Sequence, residues 1–302
     1  MKTIKLLPLL STVLLTSCSL VTPSGPSIDP IHGGDEPGED YGFVPDGYSL
    51  FFEDEFNGDS LSKDNWEVMY GDGSLYNVYR WGNNEEQFYK EENIVVSDGA
   101  LHIIAKKEST HTERKDFEYT SARIRSQGKV TTTFGYIESR IKLPLGTGMW
   151  PAFWMLPESN YQGRWWPVSG EIDIMEAKGR LPLEAAATVH TASPSGHAMR
   201  GKTYNFKQND DISNYHCYGV LWEEELLEFY IDGQCYFSCP SSSYQHGNTL
   251  YSDQSKSAPF DAPFHILLNL AVGGNYDGGR LPEDSFEQAE MAVDYVRIFH
   301  KN

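Results

Sequence analysis

Strand-like segments recur along the chain from about residue 47 to the C terminus. In each segment apolar residues either alternate with polar ones or form a short continuous run, and turn-forming residues separate the segments. Asp232-Gly233 divides one segment and favours a hairpin turn. The predicted strand segments are 100–107, 135–144, 184–192, 216–222, 226–237, 264–272 and 291–299.

Helical periodicity is nearly absent. Only residues 283–291, EDSFEQAEM, are compatible with a helix, and that helix is short. Neither a second linker nor an internal repeat interrupts residues 47–302. We therefore predict one all-β domain, a sandwich of many strands, because such domains reach this size.

The N terminus has the pattern of a targeting signal. Two lysines precede an apolar run, residues 6–15, that is about half as long as a membrane-spanning helix needs to be. The run ends in Leu15-Thr16-Ser17-Cys18, which resembles a bacterial lipoprotein signal cleaved before an acylated cysteine. We predict that residues 1–18 are such a signal, ending at the lipidated Cys18; an ordinary secretory signal is the alternative.

Residues 19–46 are rich in Pro, Gly, Ser and Asp and carry few large apolar side chains. Such a segment cannot offset its ordering entropy by burial. We predict a flexible linker between Cys18 and the domain; a disordered terminus that tethers nothing is the alternative. The lipid would anchor the protein in a bacterial cell envelope without a membrane span.

The net charge limits the classes of partner. Acidic residues outnumber basic ones 43 to 24, which gives a net charge of −19. A chain this acidic repels phosphate backbones and anionic membrane surfaces. We therefore expect no nucleic-acid partner and membrane contact through the lipid anchor only, and we expect a monomer.

Three cysteines follow Cys18. Cys217 and Cys235 fall on adjacent predicted strands and could pair, which would leave Cys239 free; buried thiols are the alternative. No cluster of residues has the spacing of a zinc site.

The segment Glu171-Ile172-Asp173-Ile174-Met175-Glu176 carries the densest chemical signal. Side chains alternate between faces along a strand, so Glu171 and Asp173 share a face and the isoleucines pack behind it. Strict alternation would send Glu176 into the apolar layer. One β-bulge at Met175 would reverse the phase and return Glu176 to the acidic face.

Three carboxyl groups on one face suit a retaining glycosidase. Such enzymes need two carboxyl groups about 5–5.5 Å apart, one ionised to attack the anomeric carbon and one protonated to release the leaving oxygen. A third carboxylate between them raises the pKa of the acid by repulsion and orients the nucleophile by sharing a proton. A solvated strand with alternating acids is the alternative, which the flanking isoleucines and the preceding Trp165-Trp166-Pro167 disfavour.

Residues 165–179 resemble the catalytic strand of glycoside hydrolase family 16, in the β-bulge branch that holds laminarinase-like endo-β-glucanases. The branch without the bulge lacks the residue equivalent to Met175. Similar segments appear in the family's order from about residue 50 to the C terminus, namely 54–58, 81–89, 120–129, 135–157, 268–275 and 293–299.

The resemblance implies a concanavalin-like β-jelly-roll sandwich of two antiparallel sheets, with a substrate cleft across the concave one. It implies Glu171 as the nucleophile, Glu176 as the general acid/base and Asp173 as the assisting carboxylate, the roles that the strand pattern also favours. It implies no cofactor for catalysis.

Aromatic residues near the acidic strand are candidates for stacking on sugar rings. The resemblance places Trp166 at the floor of the subsite next to the scissile bond. Trp150 and Trp154 are further candidates, with sandwich core as the alternative. Tyr276 follows Gly273-Gly274-Asn275, where laminarinase-like members often have Trp, so the smaller ring puts the fine specificity in doubt.

Polar residues of the cleft are also implied. His190 would lie near the leaving group and bind either that group or the assisting carboxylate; a structural histidine is the alternative. Arg80 and Asn84 resemble the loop that hydrogen-bonds hydroxyls on the non-reducing side, with ordinary surface polarity as the alternative.

A structural calcium ion is implied by the resemblance alone. Its ligands would be a backbone oxygen at Glu55, the carbonyl oxygen of Gly99 and the carboxylate of Asp294. Such an all-oxygen set suits calcium.

The leading functional hypothesis is an endo-acting, retaining β-glucanase that cuts β-1,3-glucan or mixed β-1,3/1,4-glucan. The acidic chain favours a neutral glucan over the red-algal galactans, whose hydrolases usually have basic cleft residues. A non-catalytic glycan-binding lipoprotein is a further alternative, although binding alone needs no set of three carboxyl groups. A transglycosylase would differ only in its acceptor.

Overall fold

The computed structural model describes residues 42–245, 250–251 and 255–302. The predicted signal 1–18 with Cys18, and residues 19–41 of the predicted linker, lie outside the described residues. Within these ranges no helix is long and apolar enough to cross a membrane. The helices are one α-helix, Ser241–Gln245, and four short 3-10 helices, Ser74–Tyr76, Tyr79–Gly82, Glu91–Asn93 and Asn275–Asp277.

Eighteen strands make up most of the described chain. They are β1 (Tyr48–Asp54), β2 (Glu67–Val68), β3 (Gln87–Tyr89), β4 (Ile94–Ser97), β5 (Ala100–His111), β6 (Asp116–Ser121), β7 (Arg123–Arg125), β8 (Thr131–Thr132), β9 (Gly135–Lys142), β10 (Met149–Pro157), β11 (Glu171–Ala177), β12 (Glu184–Ser193), β13 (Gly196–Asn205), β14 (Tyr215–Glu223), β15 (Leu226–Ile231), β16 (Gln234–Pro240), β17 (Phe264–Val272) and β18 (Gln288–Lys301).

The strands form two sheets. The back sheet has the order β16-β15-β14-β9-β18-β5-β6-β3, with β1 paired to β18 and β4 to β5. The site sheet has the order β13-β12-β11-β10-β17-β7-β2, with β8 paired to β17. Every pairing of named strands is antiparallel except β3 with β6. The predicted all-β sandwich of two largely antiparallel sheets is confirmed.

One large hydrophobic core lies between the sheets. The back sheet contributes rings such as Trp222 and Phe229, and the site sheet contributes Phe153 and Phe264, all buried. All nine positions of β17 are buried, so both faces of this strand are covered. This burial explains why its sequence is almost continuously apolar instead of alternating.

The predicted strand segments all fall on strands, and the predicted hairpin is confirmed. Ile231 pairs with Gln234 across Asp232-Gly233, and both turn residues have positive φ, 48° and 71°. Positive φ at both positions is the conformation that favours Asp-Gly. Residues 283–291, which at most allowed a short helix, form none, because β18 begins at Gln288 and pairs there with Lys106 of β5.

Of the two alternatives for Cys217 and Cys235, the structure shows the one without a disulfide. Cys217, Cys235 and Cys239 form no disulfide within the part of the chain that the structure describes. Cys217 lies on β14 and Cys235 on β16, and β15 lies between those strands in the sheet. The hairpin turn therefore separates the two cysteines by one full strand.

Candidate active site

A β-bulge on β11 brings three carboxyl groups to one face of the site sheet, which we call the site face. Against β10, Phe153 pairs with Met175 while Trp154 pairs with Asp173, so β11 has one extra residue there. The pairing with β12 shifts at the same place, between Asp173 and Glu176. Ile172, Ile174 and Met175 all lie in the core. The predicted bulge is confirmed, and both residues between Asp173 and Glu176 take part in it.

The carboxyl groups are crowded and shielded from water. Asp173 is 3% exposed and Glu176 is 8% exposed, while Glu171 is half-buried at the edge. Glu171, Asp173 and His190 each place a ligand-type atom within 4.8 Å of the others. His190 Nε2 lies 2.9 Å from Asp173 Oδ2, although the pair lacks hydrogen-bond alignment. Of the two contacts expected for His190, the structure shows the one to Asp173.

Burial raises the pKa of all three carboxyl groups. Burial first and the charge of Asp173 second raise the pKa of Glu171 to about 8, and His190 opposes that shift. Burial, followed by the charge of Glu176, raises the pKa of Asp173 well above its ordinary value. Burial also raises the pKa of Glu176 to about 7, against a hydrogen bond from Trp150. The cluster as a unit therefore holds protons near neutrality, and its titrations belong to the set.

Trp150 is fixed between the acidic strand and the loop after β17. Its Nε1 donates a hydrogen bond of 2.9 Å to Glu176 Oε1. Its ring stacks on Tyr276 with centroids 5.0 Å apart and planes 20° apart. Lys178 Nζ lies 4.6 Å from the centroid of the Tyr276 ring. Trp150 and Tyr276 thus support Glu176 from one side.

Trp166 forms an exposed border of the cluster. It is 48% exposed, and its ring centroid lies 4.8 Å from that of His197 and 6.3 Å from that of His190. The two histidines are linked, with His190 Nδ1 2.7 Å from His197 Nε2. An exposed indole beside the carboxyl groups is available for stacking on a sugar ring.

Trp154 is held by contacts within the site sheet and with the loop of Trp81. Its Nε1 donates a hydrogen bond of 2.8 Å to Asn269 Oδ1 on β17. Its ring packs beside a small cluster that includes Trp81 and Leu267. Trp154 is therefore anchored to its own sheet on the site face.

Arg80 and Asn84 chiefly bind within their own loop. Arg80 Nη2 donates to the backbone oxygen of Asn84 at 2.8 Å and also to Glu86, and its Nε donates to the backbone oxygen of Glu85 at 3.0 Å. Asn84 Nδ2 donates to Asn275 Oδ1 at 3.0 Å. The loop is thereby tied to the segment that carries Tyr276, but the Arg80 guanidinium is largely engaged by the protein.

Both acidic residues of the expected calcium set have side chains that contact arginine. The buried carboxylate of Asp294 lies 2.7 Å from Arg140 Nη1. The carboxylate of Glu55 accepts hydrogen bonds of 2.7 and 3.0 Å from Arg297. Gly99 lies in the turn between β4 and β5. Arg140 thus contacts the one carboxylate among the expected ligands, and the calcium site stays a prediction.

Four further polar residues at the site face were not anticipated from the sequence. They are Arg123 on β7, Lys178 just after β11, His197 on β13 and Asn269 on β17. Asn269 could have been noticed in the sequence, because Asn269 and His265 are the two polar residues in the otherwise apolar strand β17. Lys178 directly follows the acidic strand, whereas Arg123 and His197 reach the site only through strand pairing between distant parts of the chain.

Comparison with known proteins places this geometry in a family. A family model described as "Beta-porphyranase A-D, GH16 domain" matches residues 51–301. The chain is 38% identical over 262 residues to the Glucan endo-1,3-beta-glucosidase A1 of Niallia circulans, covering 84% of this chain and 38% of that protein. It is 33% identical over 257 residues to the Beta-glucanase of Rhodothermus marinus, covering 83% of this chain and 85% of that protein.

The fold is also similar to those of solved structures. The laminarinase catalytic domain from Thermotoga maritima has a TM-score of 0.76 and 32% identity to this chain, covering 85% of it and 100% of that structure. The chain spans less than half of the Niallia circulans relative but most of the other two proteins. On this evidence the chain belongs to glycoside hydrolase family 16.

Proposed function

We propose that the protein is an endo-acting, retaining β-glucanase that hydrolyses β-1,3-glucan or mixed β-1,3/1,4-glucan. The observation that carries the proposal is the set of three crowded carboxyl groups on one face of β11, bordered by an exposed indole. The names of the relatives from Niallia circulans and Rhodothermus marinus support a glucan as the substrate.

The proposed reaction proceeds in two displacements. A carboxylate oxygen of Glu171 bonds to the anomeric carbon while the glycosidic C–O bond breaks and the proton of Glu176 passes to the leaving oxygen. Glu176 then removes a proton from water, and the water oxygen displaces the Glu171 carboxylate from the sugar. Asp173, held beside His190, shares a proton with Glu171 and adjusts its charge. Two carboxyl groups suffice for this chemistry, so we assign no cofactor.

Aromatic rings hold the sugar chain in this proposal. Trp166, with its exposed ring, stacks on the unit beside the scissile bond. Trp150 and Tyr276 chiefly support Glu176, and Trp154 contributes the floor of the cleft. We also propose that the protein acts as a monomer held in the bacterial envelope by a lipid on Cys18.

Release of reducing ends from several polysaccharides tests the proposal. Laminarin, barley mixed-linkage glucan, agarose, carrageenan and porphyran are assayed side by side, with Glu171→Gln as the matched inactive variant. We expect cleavage of laminarin or the mixed-linkage glucan and none by the variant, which should still bind oligosaccharides because its shape is kept.

Two results would contradict the proposed function. Cleavage of a sulfated or anhydro-galactan alone would favour the galactan alternative, to which the description of the family model also points. Binding of laminarin without release of reducing ends would favour a glycan-binding protein. Glu171→Gln activity close to that of the wild type would remove Glu171 from the nucleophile role.

A further inference from the structure

Three side chains of the site sheet bring potential metal ligands together. Glu171 and Asp173 lie on β11, and His190 lies directly across from Glu171 on β12. One carboxylate oxygen from each acid and one imidazole nitrogen of His190 all lie within 4.8 Å of one another. Within the residues that the structure describes, no other group of three His, Cys, Asp or Glu side chains converges in this way.

One oxygen of this cluster has no hydrogen-bond partner among the described residues. Asp173 is 3% exposed, and its Oδ2 is enclosed without a donor aligned to it. His190 Nε2 lies 2.9 Å away, at contact distance but without hydrogen-bond alignment. An enclosed carboxylate oxygen without a partner is costly, and a cation bound by this oxygen and by the imidazole nitrogen would relieve that cost.

His197 supports the imidazole of His190 from behind. His197 Nε2 lies 2.7 Å from His190 Nδ1, and the two rings stack with centroids 4.9 Å apart and planes 8° apart. When His190 Nδ1 donates its hydrogen to His197, the lone pair of His190 Nε2 is left on the side of the carboxyl groups. Metal-binding histidines donate their second ring N–H to an outer acceptor in the same way, which fixes the tautomer.

The cluster is open to solvent on one side. Glu171 is half-buried, and Trp166 at the border is 48% exposed. An ion can therefore reach the three ligand atoms from solvent and keep a water molecule in its remaining coordination position. The net charge of −19 also attracts cations to the chain.

The ligand atoms favour zinc over calcium or magnesium. Calcium and magnesium take oxygen ligands, whereas this set includes an imidazole nitrogen. Zinc binds histidine nitrogen together with Asp or Glu oxygen, and its open sites combine three protein ligands with one water molecule. Imidazole also suits copper and nickel. The set therefore fits zinc and related first-row divalent ions.

We propose that Glu171, Asp173 and His190 bind a zinc-like divalent ion and that the bound ion reversibly inhibits the enzyme. A Glu171 oxygen that coordinates the ion is not free to attack the anomeric carbon, and the ion with its water molecule occupies the place of the sugar. The inhibition rests on the proposed function, whereas binding of the ion does not. This site is separate from the calcium site expected at Glu55, Gly99 and Asp294.

Titration calorimetry with zinc chloride tests the binding site. The protein is first treated with EDTA and dialysed. We expect the wild type to bind one zinc ion per chain and His190→Ala to lose this binding. His197→Phe keeps a flat ring but removes the outer acceptor, so the zinc affinity should fall about 10- to 100-fold.

His102→Gln is the matched control for the histidine variants. His102 lies on β5 of the back sheet, with its Nδ1 2.8 Å from the carboxylate of Glu290. The substitution removes an imidazole that contacts a carboxylate, but it leaves the three proposed ligands in place. The zinc affinity of this variant should equal that of the wild type.

Release of reducing ends from laminarin tests the inhibition. Zinc should raise the apparent KM and leave kcat unchanged, because the ion competes with the sugar, and EDTA should restore the activity. In His197→Phe the zinc concentration for half-inhibition should rise about 10- to 100-fold, in parallel with the loss of affinity. Calcium chloride and magnesium chloride at the same concentrations should not inhibit.

Equal zinc affinity in the wild type, His190→Ala and His197→Phe would overturn the proposal, since zinc would then bind elsewhere on the acidic surface. Inhibition with an unchanged KM, or equal inhibition by calcium, would also overturn it. Thermal unfolding of each variant is recorded, and if His190→Ala does not fold, the His197→Phe comparison decides. Failure of the proposed function looks different, because no glucan is then cleaved even without zinc, while zinc binding still depends on His190.

Discussion

Trp150 Nε1 donates a hydrogen bond of 2.9 Å to Glu176 Oε1. With Oε1 occupied by an N–H donor, the acidic proton of Glu176 is confined to Oε2, the oxygen left to meet the leaving group. The same bond stabilises the carboxylate form, which the second displacement requires. One indole thus orients the proposed acid and also limits how high its pKa rises.

Trp150→Phe should move the upper limb of the activity profile to higher pH. The indole N–H lowers the pKa of Glu176, so its removal raises that pKa and Glu176 keeps its proton to a higher pH. We expect kcat/KM to fall about tenfold, the cost of one hydrogen bond to a charged group. Profiles of kcat/KM against pH measure both effects.

Trp154→Phe is the matched control for that experiment. It also removes one indole N–H from the site face, but this group binds Asn269 and no carboxyl group of β11. The upper limb of the pH profile should keep its position in Trp154→Phe, even if the rate changes. An equal shift in both variants would show that the Trp150 hydrogen bond does not set the pKa of Glu176.

Glu176→Ala should regain activity when azide is added. Azide needs no general base, so it attacks the glycosyl-enzyme that water cannot reach without Glu176. Substrates with good leaving groups should lose less in the first step. The product is identified by NMR, and the absence of a β-configured glycosyl azide would remove Glu176 from the acid/base role or exclude retention.

Asp173→Asn should shift the lower limb of the bell-shaped profile, which reports the coupled carboxyl groups as a set, to lower pH. The charge of Asp173 raises the pKa of Glu171, so its removal lowers that pKa and Glu171 ionises in more acidic solution. The maximal rate should fall, but less than in Glu171→Gln. A profile that superimposes on that of the wild type would show that Asp173 does not adjust the pair.

Gly274→Ala should cost both stability and activity. The residue has φ +83°, and a Cβ there would lie 2.9 Å from Cζ3 of Trp150. Backbone strain in this region is on the order of 1–3 kcal/mol, and the indole that holds Glu176 must also move. Urea unfolding and kcat measure the two effects.

Gly279→Ala separates strain from displacement of the indole. Gly279 also has positive φ, +71°, but a Cβ there meets nothing within 4 Å. Some stability should be lost while kcat stays near the wild-type value. If Gly274→Ala keeps the same kcat as Gly279→Ala, the close approach to Trp150 is unimportant for catalysis.

Cys18→Ala should release the protein from the membrane fraction or block its processing. Acylation requires the thiol of Cys18, so its removal should prevent attachment of the lipid. Immunoblots of soluble and membrane fractions measure the distribution. Membrane association equal to that of the wild type would contradict the lipoprotein prediction.

The acidic strand could be predicted from sequence because its information is local. Alternation with period two and one bulge place Glu171, Asp173 and Glu176, and no distant residue is needed to read that pattern. The strands themselves, such as β17, could also be predicted from their own local sequence. Asp173 and Glu176 are buried by neighbouring strands, and this burial raises their pKa values. The sequence of β11 alone does not predict how deeply they are buried.

The features that could not be predicted from the sequence depend on contacts between distant segments. Cys217 and Cys235 looked adjacent until the hairpin placed β15 between them. The expected calcium ligand Asp294 on β18 pairs with Arg140 of the neighbouring β9. Arg123 was overlooked for the same reason, since its indole neighbours come from residues 81 and 154.

The bulge on β11 gives the acidic strand a tolerance to the deletion of one residue. Five steps along the chain separate Glu171 from Glu176, an odd number that a regular strand would convert into opposite faces. The extra residue in the bulge returns Glu176 to the face that carries Glu171. Loss of the single codon for Met175 would leave four steps on a regular strand, and the two carboxyl groups would again share a face. Deletion of Met175 would therefore keep both carboxyl groups on one face. Substitution of Met175 by a charged residue would instead place a charge in the core.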